Sequence, residues 1–205
     1  MSAEVRAAGP WDESEIVWDD TERLDLGGLL IAAIPGVDVQ VQVDESTGAV
    51  ALVTLATEDS GVQIQVFAAP RSGGLWDDAR QQIASSVNQA GGLVEEANGP
   101  FGPELRAQVP GEQGLQPARF VGIDGPRWFM RAVFLGAASR PSDAATLLED
   151  AVRQLVVVRG GEAMPVGNPL ALHLPEAPAS ADEPVEPGPD PLRPPERGPE
   201  ITEIR

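Results

Sequence analysis

Residues 37–43 read Val-Asp-Val-Gln-Val-Gln-Val. An apolar side chain at every second position is the pattern of a strand that turns one face to a core and the other to water. The same character, alternating or continuous, returns at residues 29–34, 50–56 and 62–69, which predicts four strands in succession. The loops Asp44-Glu45-Ser46-Thr47-Gly48 and Glu58-Asp59-Ser60-Gly61 are short, polar and end in glycine, as hairpin loops do when they close on a residue at positive φ. An antiparallel meander follows.

After Pro70 the period changes. Leu75, Ala79, Ile83 and Val87 recur every fourth residue behind Ser72, which can cap the start, and Gly91-Gly92 ends the run; this is an amphipathic helix. Four further strands fit residues 93–97, 105–109, 118–123 and 128–135, the last two joined by Asp124-Gly125-Pro126. Ser142 caps a second helix with Ala145, Leu148, Ala151, Val152 and Leu155 on one side, and residues 156–158 supply a last short strand. The expected fold is α+β: an antiparallel sheet built of two meanders, with two amphipathic helices packed on one of its faces.

The flanks differ from this middle. Residues 175–205 carry nine prolines between acids and almost no large apolar residue, a composition that cannot bury enough surface to offset the entropy of ordering. A disordered Pro-rich acidic tail is expected there. Residues 1–23 are acidic too but hold Trp11, Ile16, Val17 and Trp18, so they are read as an arm, leaving residues 24–174 as one α+β domain.

Charge removes several functions. Acidic residues number 32 against 14 basic ones, giving a net charge of −18. All the basic residues are Arg, and they form no block. A phosphate polymer needs clustered cations, so nucleic acid is not an expected partner. The apolar run at residues 26–34 is far shorter than the roughly 20 residues of a spanning helix, and no membrane partner is expected. The first ten residues lack the cationic and apolar regions of a signal peptide, which points to the cytoplasm. With no Cys and one His, neither a thiolate nucleophile nor a Cys-based metal site is available, and no cofactor, metal or catalytic constellation is expected. His173, between apolar neighbours, reads as structural. Asp77 and Asp78 read as acids in a first helical turn.

Four segments carry a resemblance: Gly9-Pro10-Trp11-Asp12, Arg23-Leu24-Asp25-Leu26-Gly27, residues 69–76 (Ala-Pro-Arg-Ser-Gly-Gly-Leu-Trp) and residues 122–128 (Gly-Ile-Asp-Gly-Pro-Arg-Trp). Together with Val157-Val158-Arg159-Gly160 and Met164-Pro165-Val166, they resemble an uncharacterised actinobacterial family, domain of unknown function 3710, over about residues 9–175. The resemblance implies cytosolic proteins with no assigned reaction and no accepted catalytic residues. In outline the element order also resembles the Mog1/PsbP-like sandwiches, a likeness of pattern that lends no function.

Two places stand out as binding candidates. In the hairpin around Asp124-Gly125-Pro126, alternation sets Arg127, Phe129 and Arg131 on one face and Trp128, Met130, Ala132 and Phe134 on the other, as core. Centred on that turn, the hairpin brings Arg119 across from Arg131 on the same face, where like charges repel. A negative group belongs between them: a carboxylate such as Glu104, Asp77 or Asp78, or a small anionic ligand. The turn Arg71-Ser72-Gly73-Gly74 leads into the first helix and offers backbone N–H groups to an anion, so Arg71, Arg127 and Arg131 would frame a pocket beside Trp76. The second candidate is the arm, where Trp11 and Trp18 among acids would anchor it on its own domain or on a partner protein. The leading function is a non-enzymatic binding or adaptor module; the alternative is a binder of, or enzyme on, a small anion at the arginine face.

Overall fold

The computed structural model describes residues 8–112 and 114–175. Residues 1–7 of the expected arm and residues 176–205 of the expected tail lie outside the described residues. The strands are β1 (Trp11–Asp12), β2 (Arg23–Asp25), β3 (Leu29–Ala32), β4 (Asp38–Val43), β5 (Val50–Ala56) and β6 (Ser60–Ala68). Helix α1 (Leu75–Gln89) precedes β7 (Leu93–Gly99), β8 (Gly102–Gly111), β9 (Gly114–Gly125) and β10 (Trp128–Gly136), then α2 (Asp143–Arg153) and β11 (Val156–Val157).

The two meanders join into one seven-stranded sheet of order β4-β5-β6-β10-β9-β8-β7, antiparallel throughout. Strand β3 departs from the expected run of four. It pairs with β2 and β11 in a smaller sheet, β1-β11-β3-β2, while its follower β4 goes to the large one. All four of its residues are buried, and a continuously apolar strand has no polar face to say which sheet it joins.

The helices lie on opposite faces of the large sheet, correcting the expectation of one shared face. Ile64, Val66, Met130, Ala132 and Phe134 point to the inner face. There they form the main core with Leu148, Ala151 and Val152 of α2 and Leu29 and Ile31 of β3. Phe67, Phe120 and Phe129 point the other way and meet Trp76, Leu75, Ala79 and Ile83 of α1 in a second, smaller cluster. Period 2 explains the division: residues 128, 130, 132 and 134 face the main core, and 129 and 131 face the opposite side. Ser142 caps α2 as expected, its Oγ accepting from Ala145 N at 3.1 Å. Among the described residues, no helix is long and apolar enough to cross a membrane.

Part of the acidic arm is built into this fold. Strand β1 pairs in parallel with β11, Trp11 opposite Val156 and Asp12 opposite Val157. The Trp128 indole N–H donates to Asp12 Oδ2 at 2.9 Å, and Ser14 donates to the same carboxylate from its backbone and hydroxyl. Asp12 is buried, so Asp12→Ala removes a charged acceptor from a desolvated donor. The expected cost is about 1–3 kcal/mol, read by urea unfolding, with Asp12→Asn recovering part of it.

Candidate functional site

Helix α1 packs chiefly over β7, β8 and β9. Of its fifteen residues only Trp76 and Val87 are buried. Trp76 fixes it in place: the indole lies flat on Gly122 of β9, where any Cβ would run into the ring, and its N–H donates to Pro103 O at 2.6 Å. The rest of the apolar stripe, Leu75, Ala79 and Ile83, is half-buried. It forms one wall of a groove of about 720 Å³ whose floor is Phe67, Phe120, Phe129 and Arg131. The opposite wall is Val166-Gly167, held to β6 by the Gly167 N to Ala68 O bond at 2.8 Å. Phe129 of the floor lies between two rings: Phe67, also of the floor, and Trp76 beside it each lie 6.2 Å from Phe129, with interplanar angles of 25° and 24°.

Arg131 is the cation of this groove. Its Nη2 donates to Gln65 Oε1, and its guanidinium lies 5.8 Å from the Phe67 ring centroid. Its Nε is buried with no hydrogen-bond partner. Burial pushes the guanidinium below the usual arginine value. No carboxylate among the described residues forms an ion pair with it.

The other arginines do not join it. Register explains Arg119. The β9–β10 turn is the pair Pro126-Arg127, with Trp128 opposite Gly125, so that Arg131 faces Gly122 and Arg119 faces Phe134. The expected pairing of Arg119 with Arg131 is therefore corrected, because a turn centred one and a half residues later sends Arg119 to the opposite face of the sheet. There Arg119 meets Glu104 at 3.4 Å, Glu149 of α2 at 2.7 Å and the face of Phe134 at 4.2 Å. The carboxylate foreseen for it is present, in the core.

Arg127 takes φ +61° in that turn and donates to Gly160 O at 2.8 Å. It lines a separate cleft of about 350 Å³ with Glu13 and Arg159. Arg159, which nothing in its sequence context marks as a site residue, is buried and donates to the backbone oxygens of Arg127 and Glu162, both at 3.2 Å. Arg71 and Ser72 are exposed. Gly74, not Ser72, caps α1 at φ +85° without a side-chain bond, since Gly73 and Gly74 both take left-handed backbone that excludes ordinary capping geometry. The anion at the helix start is the chain's own Asp124, whose Oδ1 accepts from Leu75 N at 3.2 Å. Of the arginine candidates, the groove keeps Arg131 alone. His173 is exposed, with its ring against Gly27.

The arm divides. Trp11 is half-buried and bonded through its backbone to Leu155 O at 2.9 Å. Trp18 and Val17 stand in water at 61% and 89% exposure, on a loop tied at one end by β1 and at the other by β2. Near the β2 end, Asp19 accepts from the Thr21 hydroxyl at 2.8 Å and from Arg23 at 2.9 Å. These bonds, Thr21 first, hold its carboxyl down to about 2.

A family model described as "Protein of unknown function (DUF3710)" matches residues 9–181. The chain belongs to that family. No protein of curated function matches it. The solution structure of cyanobacterial PsbP (CyanoP) from Synechocystis sp. PCC 6803 is similar at a TM-score of 0.42 and 14% identity, over 73% of this chain and 99% of that one. At that score the likeness carries no argument. What distinguishes this DUF3710 chain is the geometry of its own groove and loop.

Proposed function

We propose that the chain is a non-enzymatic adaptor module that docks on another protein through the loop at residues 13–22. The carrying observation is the pair Val17 and Trp18, side by side in water, while Trp76 and Trp128 are buried and Trp11 is half-buried. A tryptophan that finds a seat releases about 1.5–3 kcal/mol or more from its apolar surface. Trp18 finds none among the described residues. Its loop is anchored at both ends, so less chain entropy is lost on docking than with a free tail. Glu13, Glu15, Asp19, Asp20 and Glu22 surround it. An apolar anchor inside a charged rim is the layout of a binding hot spot. The fitting partner is a protein with an apolar pocket rimmed by Lys and Arg, since complementary rims speed encounter and fix orientation.

Photo-crosslinking tests this with a benzophenone side chain at position 17 of the full chain, followed by binding of each purified crosslinked protein. Trp18→Ala should weaken the true partner by about 30-fold or more, as loss of at least 2 kcal/mol at a hot spot requires. Raising salt from 0.05 to 0.5 M should slow association. Unchanged affinity of every crosslinked protein for the Trp18→Ala chain would refute the reading.

A further inference from the structure

We propose that the groove between α1 and the outer face of the large sheet is a binding site for a small monocarboxylic acid with an apolar body. The carboxylate would sit on Arg131 and the aryl or alkyl body against Phe67, Phe129, Leu75 and Ile83. This site is separate from the loop that carries the adaptor reading and stands independently of it.

Comparison of the arginines supports the assignment. Arg119, Arg106, Arg80, Arg153 and Arg23 each lie within 4 Å of a carboxylate. Arg127 and Arg159 are taken up by backbone oxygens. Arg71 and Arg140 are exposed, where water solvates them. Arg131 is half-buried among aromatic rings, has neither a carboxylate nor a backbone oxygen as partner, and is matched only to the side-chain amide of Gln65, with its Nε buried and unbonded. A desolvated guanidinium is stabilised most by an anion, and its planar fork fits a carboxylate. The size of the groove lies within the range of sites for small molecules, and an apolar lining with one placed polar group is their usual chemistry.

The surroundings limit the ligand to one charge. Asp78 lines the groove and is exposed, so a second carboxylate on the body would meet repulsion. The net charge of −18 also opposes anions at a distance, but salt at about 0.15 M screens exposed charges beyond about 8 Å. The group in contact then decides. A dianion or a phosphate ester fits this balance poorly.

The test is titration of the full chain at 0.15 M salt with 1-naphthaleneacetate and with decanoate. Each acid is run beside its neutral primary amide and followed by backbone amide NMR shifts. Saturable binding of an acid is expected, with shifts confined to α1, β6, β9, β10 and residues 166–167, and with the amide at least tenfold weaker. Arg131→Gln should bring the acid to the level of the amide. Ala79→Trp, which fills the groove and leaves Arg131 intact, should abolish both; it serves if Arg131→Gln does not fold. Equal binding of acid and amide, shifts elsewhere on the surface, or no saturation by either acid in the millimolar range would each overturn the proposal.

Discussion

Replacing Arg119 with Met is expected to destabilise the protein by about 3–5 kcal/mol, the largest effect of any single charged residue here. Arg119 and Glu104 are 3% and 1% exposed, and Glu149 is 8%, so all three charges are desolvated. Glu104 Oε1 also receives Arg106 Nε at 3.0 Å, but Arg106 sits at the rim. Without Arg119, the buried carboxylate of Glu149 would lose its cation and that of Glu104 would keep only the partly exposed Arg106. A native stability of about 5–15 kcal/mol would lose about a fifth or more. Urea unfolding should show the midpoint falling with the slope unchanged, the signature of a stability change without a change in surface exposed. The contrast is the triple replacement of Arg119, Glu104 and Glu149 by Met, Leu and Leu. It removes the whole set and should be neutral or more stable than the parent, because the attraction among buried charges scarcely repays their desolvation. A loss below about 1 kcal/mol for Arg119→Met would mean that water reaches these groups.

This cluster also marks how far the sequence was readable. A carboxylate such as Glu104 beside Arg119 is expected from the sequence, but on the ground that Arg119 faces Arg131 across the hairpin, and that pairing does not form. Its location could not be foreseen. The pairing sum of a hairpin depends on which two residues make the turn, and Gly125 is the residue expected to take an unusual backbone angle. The chain instead uses Arg127 at φ +61°, a region costly for residues other than Gly, Asn and Asp. The shift turns Arg119 inward and leaves Arg131 outward. The strands of both meanders and both helices were legible because their periods are long and clean. The place of β3 was not, since four buried residues in a row fit either sheet. Trp11 and Trp18 look alike in sequence, and only the pairing of β1 with β11 separates the anchor from the exposed residue. The groove was partly legible: Arg131 and Trp76 were placed beside it, whereas Phe67 and Gln65 come from a strand far away in sequence.

Gly122 offers the second large effect, and it had a sequence signal. A glycine in the middle of an apolar strand weakens that strand unless something needs to approach its backbone. Here the indole of Trp76 does. Gly122→Ala puts a methyl group where Cγ, Cδ2 and Cε3 of Trp76 lie, and β9 is held by ladder pairs on both sides and cannot retreat. The ring must leave. With it go the 2.6 Å bond to Pro103 O, the stack on Phe129 and the main attachment of α1. Overpacking alone costs about 1–3 kcal/mol; losing a buried tryptophan outright costs about 3–5 kcal/mol. The expected loss is about 3 kcal/mol, with a red shift in tryptophan emission as the indole enters water. A double-mutant cycle isolates the cause. If Gly122 matters only as the seat of Trp76, then Gly122→Ala adds no more than about 0.5 kcal/mol to a chain that already carries Trp76→Ala, because the two changes remove one contact. Full additivity would assign the glycine to the strand backbone instead, and α1 would then be held to the sheet by the half-buried Leu75, Ala79 and Ile83.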